Sequence, residues 1–363
     1  EHGTVMIKPK FILNNYVCGN LVKLPHRGGN ATCFRRGSSL YAIVRETNYI
    51  YGKLGNGNPI MLMENDGYST FRSDEALYEL HGDCATFIKY LTKTHPSRRN
   101  DCGFEDMRWI RWDGTDYILG NRRNLGNFQN VQMHLLVLDD GLNLSSDTIL
   151  PNFIQVEKNW QPISDMPGWC VYSYRPFQLV NVFTGHRKSV GTDAATEFRG
   201  SSQIVNYGDN RLGIVHIRNE AFEYLHYAVL FDANMSIVKI SEPFSFFGAN
   251  VEFAPHIDYN DDHLHILVNV HDQLLYEFNV PNKLLEDMLN RNLNANEPTQ
   301  NAASVFYRHA LSAGNVFAAL GFATFTDDRP TLVDAIVRNH KKNYFRDNVQ
   351  KELQPVLMRK YGK

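Results

Sequence analysis

Apolar and polar residues alternate along most of the chain between residues 5 and about 285, and a period of 2 marks strands whose two faces differ. The alternating runs come in pairs, joined by short turns on Gly, Asp or Asn, which accept tight hairpin geometry. This unit recurs about five times. Its copies read NATCFRRGSSLYAIVRE from Asn30, EDMRWIRWDGTDYILGNRR from Glu105, KNWQPISDMPGWCVYSYRP from Lys158, FRGSSQIVNYGDNRLGIVHIRN from Phe198 and VEFAPHIDYNDDHLHILVNVHD from Val251. Their starts lie 40 to 75 residues apart. A hairpin-built unit recurring at this period buries its apolar faces against its neighbours around an axis, as a β-propeller does. The pattern predicts an all-β, five-bladed β-propeller over residues 1–290. Each innermost strand would then deliver its first polar residues to one central funnel: Asn30, Glu105, Asp106, Arg108, Lys158, Arg199 and Glu252.

Two segments depart from the alternation. In SDEALYELHGDCATFIKYLTKTH, Leu77, Leu80, Phe87, Ile88 and Leu91 fall near helical spacing, which predicts a helical insertion over about residues 73–95, with Ser73 or Asp74 as N-cap. After Pro281, NKLLEDML predicts a short helix, and residues 291–363 read as a helical C-terminal extension with a basic end that includes Arg338, Lys341, Lys342, Arg359 and Lys360. A charged amphipathic helix of this kind reads first as a solvated face packed on its parent domain. The alternative is a clasp that makes a homo-oligomer, or a surface helix that meets anionic lipid or a sugar phosphate.

Composition narrows the classes of function. Charged residues make up 21% and the formal net charge is −2, so no field draws in nucleic acid or an anionic membrane. No apolar run is long enough to span a bilayer, and EHGTVMIKPKF does not read as a signal peptide. Cys18, Cys33, Cys84, Cys102 and Cys170 are odd in number and scattered, which reads as free thiols in a reducing, cytoplasmic compartment. No spacing suggests a metal site, and neither a metal nor a cofactor is expected. There is no GxSxG, P-loop, HExxH or GxGxxG motif.

The entry residues have the types that glycosidic-bond chemistry requires: an acid for the leaving oxygen, and donors for hydroxyls and for any phosphate. In Phe104-Glu105-Asp106-Met107-Arg108, strict alternation puts Asp106 and Arg108 on one face, as a tuned acid or as an ion pair closing the blade. Arg122 and Arg123 end the partner strand, where guanidinium forks suit an anion. Lys158 and Arg175 are candidates to converge on one anionic group. Arg199 precedes Gly200, which reads equally as a close backbone approach or a bulge. His256 and Asp272 fall at strand ends of the fifth copy.

In their order these motifs resemble the five-bladed propeller enzymes of glycoside hydrolase family 130, the mannoside phosphorylases and related propeller glycosyltransferases. The resemblance rests on Asn30-Ala31-Thr32 ahead of a strand ending at Arg45, on FEDMR, on Lys158 before the third copy, and on FRGSS and VEFAPH; it covers roughly residues 15–285. Ala31 and Met107 stand where the family has Pro. The resemblance implies Asp106 as the catalytic residue and Lys158 as a phosphate or sugar ligand.

The resulting expectation is an inverting glycosyltransferase or glycoside phosphorylase with Asp106 as acid/base. Arg108, Arg122, Arg123, Lys158 and Arg175 would hold phosphate or an activated sugar donor, and Asn30, Arg45, Arg199, Glu252, His256 and Asp272 would orient the carbohydrate hydroxyls. One alternative is a hydrolase using Glu252 or Asp272 as a second carboxylate. The other is a non-catalytic glycan binder, with Trp109, Trp112, Trp160 and Tyr174 as stacking platforms.

Overall fold

The computed structural model describes residues 9–26, 28–53, 59–63, 72–94, 102–123, 129–218, 224–248, 251–291 and 293. Strands dominate it. The first sheet runs Gly29–Arg36, Ser39–Thr47, Ser73–His81 and Cys84–Thr92, with a separate hairpin of Tyr49–Lys53 and Pro59–Met63 leaving its second strand. The second runs Phe104–Trp112, Thr115–Arg123, Val131–Leu138 and Leu144–Ile149. The third has Gln161–Pro162, Trp169–Tyr174, Phe177–Asn181 and Arg187–Ser189. The last has Glu252–Tyr259, His263–Val270 and Leu274–Pro281, and Asn20–Leu21 pairs on its outer edge.

The arrangement is propeller-like and all-β, but it does not consist of five equal blades. Among the described residues four sheets are four-stranded, and the copy from Phe198 belongs to a seven-stranded sheet. Two features enlarge that sheet. Its opening strand is broken at Ser201–Ile204, so Arg199–Gly200 and Val205–Tyr207 both pair with Asn210–Arg218. At its far side Phe11–Ile12 adds in parallel to Phe244–Ser245.

Apolar clusters fill the seams between neighbouring sheets. Phe34, Ile43 and Leu77 pack on Met107, Ile118 and Leu136, and Ile110 and Trp112 pack on Trp160 and Val180. Because strands of each sheet are covered on both faces, Ala42, Ile43 and Val44 are all fully buried. The opening strands are also tied to one another in a circle. Trp109 N donates to Thr32 Oγ1 at 3.0 Å, Trp112 Nε1 to Ile163 O at 2.8 Å, Gln161 Nε2 to Ser202 O at 2.8 Å and Gln203 Nε2 to Ile257 O at 2.5 Å. His256 Nδ1 meets Thr32 Oγ1 at 3.2 Å and returns the circle to its start.

The helix expected at 73–95 is a β-hairpin. Ser73–His81 pairs with Cys84–Thr92 around Gly82, which sits at φ +64°, the left-handed region a tight turn needs. Ser73 and Asp74 cap no helix: Ser73 Oγ accepts from Arg45 Nε at 2.8 Å, and Asp74 Oδ1 accepts from Thr94 N and Oγ1. Burial of Ala76, Leu77 and Tyr78 in a row imitates a helical face, whereas it comes from a strand packed on both sides. The helix after Pro281 is present as Asn282–Leu289, with Leu285, Met288 and Leu289 buried. The helical extension over 291–363 lies almost wholly outside the described residues. No helix of the described residues is long and apolar enough to cross a membrane.

Candidate active site

At the start of the opening strands, a funnel of about 700 Å³ is open to solvent. Two irregularities aim side chains into it. Pairing between the first two strands of the second sheet slips between Leu119 and Asn121, and that bulge holds Asp106 at φ +55°. The equivalent slip in the first sheet lies between Gly29 and Ala31 and holds Asn30 at φ +34°. The two bulged residues meet: Asn30 Nδ2 donates to Asp106 Oδ1 at 2.6 Å. Asn121 Nδ2 approaches the other carboxylate oxygen at 3.5 Å. Two amide donors orient the Asp106 carboxyl group.

Arg45, at the end of its strand, gathers the acidic side. Its guanidinium lies 3.0 Å from Glu105 and 3.9 Å from Asp272, and it donates to Tyr49 Oη at 2.6 Å. Burial opposes that charge, but Tyr49, Glu105, Asp272 and Asp106 together keep the guanidinium protonated. Burial also pushes the Asp272 carboxyl up, against the pull of Arg45 and of Asn269 Nδ2 at 2.6 Å. Beneath Arg45, Glu75 is fully enclosed, and burial pushes its carboxyl well above the usual carboxylate range despite that guanidinium.

The opposite wall is cationic, built from Lys158, Arg199 and Arg218. Burial lowers the Lys158 ammonium, Asp106 and Glu105 pull it back up, and Arg199 and Arg218 lower it further. Its side chain is nonetheless exposed. His216 lies at the base, hydrogen-bonded through Nδ1 to Ser201 Oγ at 2.8 Å and stacked on Tyr224 at 5.2 Å. Burial, reinforced by His226 and the nearby cations, holds it well below the usual histidine range, so it is neutral. The funnel therefore has an acidic half around Asp106 and a basic half facing it.

Of the residues expected from sequence, Asn30, Arg45, Glu105, Asp106, Lys158, Arg199 and Asp272 come together here. Others do not. Arg108 is fully buried below the funnel and donates to Ser201 O at 2.5 Å, Asp106 O at 2.9 Å and Gly200 O at 3.4 Å. The bulge at Asp106 breaks the alternation that would have put both on one face, and Glu105 lines the funnel in its place. Arg122 lies over the Phe104 ring at 5.0 Å, and neither it nor Arg123 lines the funnel. Arg175 is at an outer turn and donates to Ala195 O, so it does not converge with Lys158. Glu252 accepts from Phe246 N and Phe247 N, which clamps a loop. His256 is buried against Thr32, Cys33 and Gln203. Trp112, Trp160 and Tyr174 are core residues with at most 2% exposure, and Trp109 stacks on Phe34, so none of them offers the funnel a platform.

Sequence reasoning missed Tyr49, Asn159, His216, Arg218, Tyr224 and Phe253. One signal was available: Arg218 ends GIVHIR as Arg45 ends YAIVR, the same place in two copies of the repeat.

No family model matches the sequence, and no curated protein matches it. Solved structures do resemble it. A β-1,2-mannobiose phosphorylase from Listeria innocua, in complex with β-1,2-mannobiose, is 14% identical with a TM-score of 0.53, over 72% of this chain and 92% of that one. A mannose phosphorylase from Leishmania mexicana, in complex with a phosphate ion, is 12% identical with a TM-score of 0.50, over 74% of this chain and 89% of that one. At these identities the likeness is one of fold, and in fold the chain resembles the propeller mannoside phosphorylases.

Proposed function

We propose that this chain is a carbohydrate-active enzyme that cleaves or forms a glycosidic bond by inversion, with Asp106 as its acid/base and phosphate or a phosphorylated sugar as its second substrate. The reading takes the seven-stranded sheet as an enlarged fourth blade of five. The observation that carries it is the division of the funnel: a carboxylate oriented by Asn30 faces Lys158, Arg199 and Arg218. In the phosphorolytic direction a phosphate oxygen attacks the anomeric carbon, the carbon–oxygen bond to the leaving sugar breaks, and Asp106 gives that oxygen its proton. A hydrolase has no anion to hold, so three cations on one wall favour phosphate. Arg45, Tyr49 and Asp272 would bind hydroxyls. The fold neighbours named for mannobiose and mannose support a mannoside as first substrate to test.

The test incubates the whole chain with β-1,2-mannobiose, with and without inorganic phosphate, and follows products by NMR. Phosphate-dependent release of α-mannose 1-phosphate, lost in Asp106→Asn, is the expected result. Free mannose formed equally without phosphate would replace this reading by hydrolysis. For that second reading Asp272 is the carboxylate available, because burial raises it and it shares the funnel, whereas Glu252 does not.

A further inference from the structure

A second cluster of ligand-type side chains lies below the funnel, at the seam where the first and last sheets meet. Cys33, on the opening strand of the first sheet, comes together with His256 and His265 of the last sheet, one donor atom from each falling within 4.8 Å of the others. The register explains the convergence. His256 pairs with Leu267, Asp258 with His265 and Leu267 with Glu277, so His256, His265 and Glu277 share the face turned to Cys33. Cys33 Sγ is 3.0 Å from His256 Nε2, and His265 Nε2 is 2.8 Å from Glu277 Oε1.

We propose that Cys33, His256 and His265 bind a thiophilic divalent cation of the zinc class, which staples the first sheet to the last and closes the ring. A soft thiolate with two imidazoles selects zinc over magnesium or calcium. A tetrahedral zinc places such donors about 3.5 Å apart, so the sulfur and His256 Nε2 need separate by only about half an ångström. Glu277 holds the His265 Nε2–H, the carboxylate–histidine–metal arrangement that orients a ligand ring, and leaves Nδ1 for the ion. On the other ring a metallated Nε2 leaves the proton on Nδ1. Thr32 Oγ1, at 3.2 Å, is its acceptor, while Gln203 Nε2, now 2.9 Å from Nδ1, gives up that approach and keeps its donation to Ile257 O. Binding forms the sulfur–metal bond, breaks the Cys33 S–H bond and releases that proton to solvent. Entry is from the half-buried side, where His265 and Glu277 keep 14% and 27% of their side chains exposed. The fourth position is left to water. Because 223 residues separate Cys33 from His256, no spacing in the sequence announces the site.

The test measures metal in the whole chain, by mass spectrometry as purified and by absorption after loading with cobalt(II). Stoichiometric zinc, a thiolate-to-cobalt charge-transfer band and a rise in Tm of about 5 °C or more on adding zinc to metal-stripped protein are expected. Cys33→Ser should abolish the band, and His265→Gln, at a half-buried position that need not disturb folding, should lose the bound zinc. Absence of zinc and of the charge-transfer band, with a Tm unmoved by zinc in the folded wild-type chain, would overturn the site. Zinc retained equally by both variants would do the same.

Discussion

Asp106 and Asn30 hold left-handed backbone that a non-glycine residue enters at a cost of about 1–3 kcal/mol each. The fold keeps both at the one place where their side chains meet at 2.6 Å over the funnel. Asp106→Gly should therefore separate stability from chemistry. Relief of strain leaves Tm at or above the wild-type value, while loss of the acid/base lowers turnover about 10²–10⁴-fold. A variant that is inactive but also much less stable would mean that Asp106 serves the fold and not the reaction. His226 makes a different kind of residue-scale argument. It is fully buried, and among the described residues neither ring nitrogen has a hydrogen-bond partner. Burial pushes it down to about 3. Glu252, at 4.0 Å, does not offset this, because its carboxylate already accepts from two backbone amides. The folded value lies below the unfolded value of 6.5, so the stability that neutral His226 contributes is fully present above about pH 6.5 and is lost as pH falls toward 3. Over that window the loss approaches about 5 kcal/mol at 1.36 kcal/mol per pH unit. In urea titrations at descending pH, His226→Phe should flatten the acid limb; an unchanged limb would place acid sensitivity elsewhere.

At the scale of the elements, the strands were legible and their irregularities were not. Alternation and the Asp-Gly and Asn-Asp-Asp turns placed the hairpins. It failed at 73–92, because a strand covered on both faces shows consecutive apolar residues and so mimics a helix. The bulges at Asn30 and Asp106 were invisible for a related reason: a one-residue slip changes the face of every side chain beyond it without changing composition. That slip sent Arg108 into the core and Glu105 into the funnel. Seven of the expected residues still converged, because the repeat places strand entries alike in each copy. Tyr49, Arg218 and Tyr224 lie instead at or beyond the ends of second and third strands, which the entry-residue rule does not sample. Gly200 settles as a close approach: a Cβ there would lie 2.3 Å from Asn159 O and 2.3 Å from Gln161 Cγ. Gly200→Ala must push the strand bearing Arg199 away from the Lys158–Asn159 turn. The expected outcome is a loss of roughly 3 kcal/mol in chemical unfolding together with weaker phosphate binding. A stable variant with wild-type binding would show that the two cation-bearing segments need not touch.

For the whole molecule the problem is closure, since a ring of sheets has a first and a last member that no hairpin joins. The N-terminal segment answers it by crossing three sheets in succession. Lys10 N donates to Pro243 O and Asn14 N to Phe246 O beside the seven-stranded sheet; Val22 N donates to Leu275 O on the last sheet; Lys23 N donates to Asp83 O on the first. Phe11 anchors this strap: it is 3% exposed and stacks on Phe244 with ring centroids 5.4 Å apart. Phe11→Ala removes a buried ring from the seam between the seven-stranded and last sheets, where the strap is anchored, and should cost about 3–5 kcal/mol. Phe183→Ala, at a position 51% exposed, should cost roughly 1 kcal/mol and serves as the control for deleting a ring from an open surface. If both losses are small and alike in urea unfolding, the strap contributes little and closure rests on the hydrogen-bond circle and on the Cys33–His256 seam. If Phe11→Ala shows the larger loss and its transition also broadens, the strap is what makes the ring unfold as one unit, because without it the first and last sheets separate before the seams between the others fail.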